Sequence, residues 1–465
     1  MRAVLDQAPI MPATILVDAL QRCLADDSLH ACGLYLARAH ARDGGAIQMA
    51  VVPDELHRVD AHGFISPRDI KSKEKENSHD STSSTSSIPP KTEWSYVSSP
   101  TWARWALSKC TSAHPMETVE VHTLTSDYPR ATRIVAQPLP SANSLPPHHV
   151  LVVRTYAGVN ASDVNHSAGR YHASTAAAEA ALPFPSGFES VGIVAAVGSG
   201  VDPRLLGSAV ACLTYGGFAT HAVVKARECL PIPGPEAEGV ALMTSGLTAS
   251  LALHEVGEIK PGEVVLVTAA AGGTGQFAVQ IAKQCGCVVV ATCGGSAKKS
   301  HLLSLGVDRV IDYHAEPDVG KVLRAEYPQG VDVVYESVGG KMFETCVKAL
   351  GVGGRLIVIG MMSQYADGWV PQPLVGVPER LLAKSASVRG FFLLHYTRKF
   401  REHLRRLGEA YVKGDLRVTI DSASFVGLRD VTAAVQHLQS GKSAGKVVIK
   451  MWDEVPGDLD RRARL

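Results

Sequence analysis

The chain has 465 residues, with 46 lysines and arginines against 45 aspartates and glutamates. Such a balance gives no electrostatic footprint for a nucleic-acid or membrane-surface partner, and no run approaches the ~20 uncharged apolar residues of a membrane helix. The length exceeds the roughly 250–300 residues at which a single core stops growing, so two or three domains are expected. The nine cysteines are odd in number, irregularly spaced and lack a Cys-x-x-Cys pair. They fit free thiols in a reducing compartment better than a disulfide framework or a structural zinc site.

In chain order, Ile15, Leu16, Ala19, Leu20, Cys23 and Leu24 recur at helical spacing and predict one amphipathic helix. Four aspartates (Asp6, Asp18, Asp26 and Asp27) speak against a mitochondrial targeting peptide, which is poor in acids. Residues 71–92, rich in lysine, glutamate and serine and closing on Pro89-Pro90, cannot bury apolar surface and read as disordered. Residues 1–70 are therefore taken as an extension without legible chemistry, and 71–115 as a linker.

From about Met116 the pattern becomes structured. Strands are predicted at Val119–Leu124, Val150–Thr155 and Ser190–Val197, within irregular β-rich chain reaching about Pro233. Strands and helices then alternate. Val264–Thr268, Val288–Thr292, Val310–Tyr313, Val331–Tyr335 and Arg355–Ile359 are strands, separated by helices near 273–285, 297–305, 317–326 and 339–349. Short β-branched strands alternating with helices predict a parallel doubly wound α/β sheet of the Rossmann type. A final mixed segment ends in a strand at Lys446–Met451, expected to pack back on the first domain.

The strongest local signal lies at the first strand of that sheet, where Val264–Thr268 runs into Gly272, Gly273, Thr274 and Gly275 before an apolar helix. Glycines there permit a tight turn and close approach of a pyrophosphate to helix N–H groups. Ala270 stands where the first glycine of G-x-G-x-x-G belongs, so the match is imperfect. The second strand ends in Thr292-Cys-Gly-Gly-Ser-Ala-Lys-Lys-Ser300, without the Asp or Glu that accepts from an NAD ribose. Small residues and Lys298 and Lys299 suit a 2′-phosphate, so NADPH is the expected cofactor.

Further stretches carry a likeness. They are Gly158-Val-Asn-Ala-Ser-Asp-Val-Asn165, Gly187-Phe-Glu-Ser-Val-Gly192, Thr244-Ser-Gly-Leu-Thr-Ala249, Val331-Asp-Val-Val-Tyr-Glu-Ser-Val-Gly-Gly340 and Lys384-Ser-Ala-Ser-Val-Arg-Gly-Phe-Phe-Leu393. With the glycine turn, and in this order, they resemble the quinone oxidoreductase and enoyl reductase branch of the medium-chain dehydrogenase/reductase superfamily. The nearest likeness is to its prostaglandin reductase group, over roughly Met116 to Met451. The resemblance implies a Rossmann domain (235–387) inserted in a split β-rich, GroES-like catalytic domain (116–234 and 388–452), followed by a tail (453–465). By matching motif, Thr274, Lys298, Tyr313, Ser337, Ile359, Tyr365, Phe392 and Ser443 line the NADPH site. A homodimer is expected from the family alone.

Alcohol dehydrogenases of this superfamily bind catalytic zinc through a cysteine and a histidine whose positions here hold Asn160 and Phe188. Phenylalanine offers no ligand atom, and zinc needs three protein ligands, so no metal is expected. A zinc-free reduction requires a hydrogen-bond donor at the substrate carbonyl. Tyr171 matches the tyrosine of the enoyl reductases' Asn–Gly–Tyr loop, with Asn160 beside it as a second catalytic candidate. Phe391, Phe392 and Leu393 give an apolar wall suited to a lipid-like enone, and Arg170 offers a cation for a carboxylate, although arginines next to glycine are usually solvated. The expected reaction is NADPH-dependent reduction of an α,β-unsaturated carbonyl compound. Quinone reduction and non-catalytic NADPH binding are the alternatives. The terminal Ala463-Arg-Leu465 follows the small–basic–Leu form of a peroxisomal signal, with cytoplasm the alternative.

Overall fold

The computed structural model describes residues 96–365, 368, 369, 373 and 375–456. The expectations for the helix at 15–24, the linker at 71–92 and the terminal tripeptide lie outside these residues. From Tyr96 onward the chain is laid out as two six-stranded sheets and one three-stranded sheet.

The antiparallel six-stranded sheet is built from β3 (His149–Gly158), β5 (Glu189–Val197), β6 (Ala209–Leu213), β7 (His221–Lys225), β8 (Cys229–Pro231) and β15 (Val448–Lys450). The smaller sheet joins β1 (Met116–Val121), β2 (Thr132–Gln137) and β4 (Phe184–Pro185). The last strand pairs with the third, Val448 opposite Gly158 and Lys450 opposite Tyr156. That return places Lys446 beside the turn after β3, where the Val159 N–H donates to Val447 O at 3.0 Å.

The parallel sheet holds β9 (Val264–Val267), β10 (Val288–Cys293), β11 (Arg309–Asp312), β12 (Val331–Glu336), β13 (Leu350–Val358) and β14 (Ser387–Gly390). Its spatial order is β11-β10-β9-β12-β13-β14. Val265, Leu266 and Val267 are fully buried, as are Val333, Val334 and Tyr335. Burial on both faces explains their unbroken apolar character. The strand order reverses between β9 and β12, and ligands of such sheets collect outside the carboxyl ends at that switch point. The expected helices form at Gly275–Gln284, Ser296–Ser304, Val319–Glu326 and Gly340–Ala349.

Three features differ from the sequence reading. Residues 96–115, assigned to a disordered linker, are ordered from Tyr96, and Pro100–Lys109 is a helix. Pro100 opens it, Trp102, Trp105 and Ala106 are buried on its inner face, and Trp105 Nε1 donates to Glu454 O at 3.1 Å. Two tryptophans three residues apart carry enough apolar area to order this segment against its polar upstream neighbours. Second, β14 pairs in parallel with β13, so the first residues of the 388–452 return segment belong to the cofactor sheet. Third, 237–256 forms helix interrupted by two π-turns, at Leu242–Gly246 and Ala252–Val256.

His221 on β7 shows how burial couples this fold to pH. Its Nε2 faces Lys109 O at 3.2 Å, its Nδ1 faces Thr220 Oγ1 at 3.0 Å, and Trp452 meets the ring edge-on. The carbonyl can only accept, so Nε2 carries a proton. Burial holds its pKa down at about 4. The folded pKa lies below the unfolded value of ~6.5, so its stabilisation is complete above ~6.5 and is lost as pH falls toward 4. The melting temperature is expected to drop across that window, by roughly 2–4 °C for each kcal/mol of linkage. His221→Phe should flatten the slope; an unchanged slope in the variant would reject this assignment.

Candidate active site

A buried ion pair forms the floor of the site. Lys446 Nζ lies 2.5 Å from Glu189 Oε1, and both side chains are almost wholly excluded from solvent. Asn160 Nδ2 donates to the same Glu189 oxygen at 2.8 Å, and the Asn160 carbonyl oxygen accepts from Lys446 Nζ at 2.7 Å. The Thr244 N–H donates to Glu189 Oε2 at 2.8 Å, and Val159 O accepts from Lys446 at 3.1 Å. Each charge thus has a counter-charge and further hydrogen bonds, the condition under which a buried pair persists. Gly158 makes the approach sterically feasible, since a Cβ there would sit 2.3 Å from Glu189 Oε1.

Asn160, a catalytic candidate from sequence, therefore has both ends of its amide engaged by Glu189 and Lys446. Phe188, the other residue standing where a zinc ligand is expected, is buried against Tyr215 at a ring separation of 5.2 Å. Among the described residues no group of three His, Cys, Asp or Glu side chains converges as a metal site would require.

The glycine turn behaves as its sequence suggests. A Cβ on Gly275 would lie 2.6 Å from Ala269 O, so the helix can start this close to β9 only with glycine there. The Gln276 and Phe277 N–H groups are taken by Gly272 O and Thr274 O, each at 3.1 Å, and the helix N-terminus presents the positive end of its dipole to the turn. Gly272 bridges to Gly445, and the Gly445 N–H donates to Ala271 O at 2.8 Å, which brings buried Ser443 toward the turn.

Two buried hydroxyls around the turn have no hydrogen-bond partner among the described residues, Thr244 and Thr292. Thr274 faces the Tyr335 phenol. Orphaned buried hydroxyls cost free energy unless something else satisfies them. Thr244 sits within a π-turn, a distortion common at functional sites.

The remaining cofactor residues fall into two groups. Lys298 donates to Gly441 O at 2.7 Å, so its ammonium lies by the segment that holds Ser443. Tyr313 lies against the Thr292–Ser296 turn, where a Cβ on Gly294 would be 2.7 Å from its Oη. At the carboxyl ends of β12 and β13, the Ser337 N–H donates to Thr268 Oγ1 at 2.9 Å and the Ile359 N–H to Glu336 O at 2.8 Å. Tyr365 Oη accepts from the Met361 N–H at 3.2 Å.

Tyr171, the proton-donor candidate, lies in the loop that follows the helix Ser162–Ser167. Its ring is 5.9 Å from Phe392 and 6.3 Å from Trp369. Its Oη accepts from Asn165 Nδ2 at 3.2 Å. Arg170 Nη1 donates to Asn165 Oδ1 at 2.7 Å and to Tyr365 O at 2.9 Å, linking the tyrosine loop to the loop after β13. Burial raises the Tyr171 pKa above its ordinary value, while the Asn165 bond pulls it down. Behind this wall, His166 stacks on Tyr215 with centroids 3.9 Å apart. Its pKa is held down at about 4 by burial.

Glu189, Lys446, Thr244, Thr292, Tyr335 and Tyr215 were not among the residues selected from sequence. A lysine leading into a buried strand, Gly445-Lys-Val-Val-Ile449, was the available signal for one of them.

A glycine turn at the switch point of a parallel sheet, with an antiparallel sheet beside it in the same chain, is the layout of a nucleotide-dependent oxidoreductase. Residues 273–409 match the zinc-binding dehydrogenase family and residues 146–234 the alcohol dehydrogenase GroES-like domain. Bovine prostaglandin reductase-3 is 46% identical over 331 residues, which span 69% of this chain and 85% of the relative. A Leishmania amazonensis protein named "Probable quinone oxidoreductase" is 40% identical over 72% of this chain and 97% of its own length. The solved Escherichia coli quinone oxidoreductase in complex with NADPH superposes with a TM-score of 0.62 at 26% identity, over 72% of this chain and 99% of that one. The chain belongs to the medium-chain dehydrogenase/reductase superfamily, in its quinone oxidoreductase branch.

Removing one member of a buried ion pair leaves an uncompensated charge. Lys446→Met is expected to cost about 3–5 kcal/mol in urea denaturation. Adding Glu189→Gln to that variant should restore a substantial part, and a double variant as unstable as the single one would refute the pairing.

Proposed function

We propose that this protein is an NADPH-dependent, zinc-independent reductase of α,β-unsaturated carbonyl compounds, of the 15-oxo-prostaglandin or related lipid enone type. The observation that carries the reading is the Tyr171 phenol, held by Asn165 and walled by Trp369 and Phe392. NADPH fits the chain's own chemistry. The glycine turn leaves room for a pyrophosphate, Lys298 and Tyr313 flank the second strand's end, and the buried hydroxyls of Thr244 and Thr292 lack polar partners among the described residues.

Bound NADPH supplies the hydride. The chain's residues do the rest. Tyr171 donates its proton as negative charge develops on the substrate carbonyl oxygen. Phe392 and Trp369 shed water around the double bond and receive an apolar tail. The cation beside Glu189 is the Lys446 ammonium, so the floor of the site is neutral without a metal ion. Quinones remain the alternative substrate class, favoured by the quinone oxidoreductase relative that matches over nearly its whole length. The proposed assembly is a homodimer, testable by sedimentation. The proposed address is the peroxisome, on Ala463-Arg-Leu465; deleting that tripeptide should return a fluorescent fusion to the cytosol, and unchanged import would refute it.

Tyr171→Phe is expected to lower kcat on an enone at least ~100-fold with NADPH affinity intact. Retained kcat, or turnover of quinones alone in a substrate panel, would reject the reading. Stoichiometric tightly bound zinc in active protein would do the same. Lys298→Ala should weaken NADPH binding roughly tenfold or more and leave NADH binding unchanged. Equal effects on the two nucleotides would remove Lys298 from the 2′-phosphate site.

A further inference from the structure

The direction of the hydrogen bonds around Asn165 follows from what each partner is able to donate. A guanidinium only donates, so the Asn165 atom facing Arg170 Nη1 at 2.7 Å is the amide oxygen. The amide nitrogen then faces Tyr171 Oη at 3.2 Å, and the phenol oxygen is the acceptor of that bond. The Tyr171 proton is therefore not spent on Asn165, and the ring itself lies against Trp369 and Phe392. Asn165 is fully buried, so no solvent competes for its amide. The same amide also bears on the Tyr365 phenol, and the Tyr365 carbonyl holds Arg170 at 2.9 Å. Without Arg170 the amide has no fixed orientation, because a flipped amide would offer its oxygen to Tyr171 and take up the phenol's proton.

We propose that Asn165 is the positioning residue of the proton donor, oriented by Arg170, and that Arg170 makes this alignment depend on the loop at 359–365. The inference rests on Tyr171 being the donor. In the transfer, the Tyr171 O–H bond breaks and a new O–H bond forms on the enolate oxygen of the reduced substrate. The electron pair stays on the phenolate, which keeps its bond from Asn165. Solvent returns the proton after product leaves. The bond from Asn165 strengthens as the phenol oxygen gains charge, so it favours the transition state over the ground state. Arg170 thereby acts at two removes and touches no substrate.

The test is a double-mutant cycle. Asn165→Leu is expected to reduce kcat roughly 10- to 100-fold, with NADPH affinity and KM within about twofold, and to enlarge the solvent deuterium isotope effect on kcat. In a Tyr171→Phe background the same substitution should change kcat no further. Arg170→Met, at a partly exposed position, provides a second arm should the buried substitution prevent folding. It should lower kcat in the tyrosine enzyme and not in the phenylalanine enzyme. An equal loss in both backgrounds would overturn the inference while leaving Tyr171 as donor. A Tyr171→Phe enzyme as fast as the parent would overturn the donor itself, and the positioning role with it.

Discussion

The buried pair of Glu189 and Lys446 is the interaction on which the site depends. The carboxylate opens β5, and the ammonium arrives on the segment that leads into the last strand. Their contact welds the end of the catalytic domain to its beginning across the inserted cofactor domain. It also fixes what stands around it. Asn160 is clamped between the two charges, and Thr244 is drawn in by its N–H to the same carboxylate. Two ions withdrawn from water repay that cost only with good geometry and further hydrogen bonds, and here both conditions hold. Gly158 belongs to the same constraint, since any side chain there would displace the carboxylate.

This arrangement gives physical content to the proposed zinc independence. In the metal-dependent branch a cysteine and a histidine beside this glutamate hold a dication, whereas here an amide, a benzene ring and an ammonium fill the space. A second cation brought to Glu189 would meet Lys446 within a site where charges are poorly screened. On the proposed reading, electrophilic assistance to a carbonyl comes from a hydrogen-bond donor.

Much of the fold was legible because periodicity reports burial. In the parallel sheet β9 is an unbroken run of Val and Leu and β10 opens on three valines, and the observed boundaries of β9, β10 and β12 fall within a residue or two of expectation. The glycine turn was legible for the same local reason. The helix Pro100–Lys109 was missed because a charged, serine-rich stretch upstream dominated the reading, although Pro100 and two tryptophans were visible. The floor of the site was hidden for a different reason. A lone lysine before a strand looks solvated, and only the register of β15 on β3 shows that Lys446 reaches Glu189. Asn160 was read from a motif position, which locates the residue without saying what its amide touches. Arg170 had been set beside the common case of a solvated arginine. Its bonds to Asn165 and to a carbonyl nearly two hundred residues away are tertiary facts that no local pattern carries.

The titration behaviour of the groups around Tyr171 explains why a phenol suits the proposed proton-donor role. Burial lowers the His166 pKa to about 4, so near neutral pH that imidazole holds no proton to give beyond the one its Nε2 shares with Pro185 O. Burial pushes the Asp163 pKa up to about 7, but its carboxyl is turned toward the Asn160 N–H and closes the loop. Tyr171 is shifted upward by the same loss of water, and for an acid that shift keeps the proton in place. One apolar enclosure thus disarms the histidine and keeps the tyrosine protonated across the physiological range. In the proposed transfer the cost is a reluctant acid, and the bond that Asn165 donates to the phenol oxygen would offset that reluctance as the proton leaves.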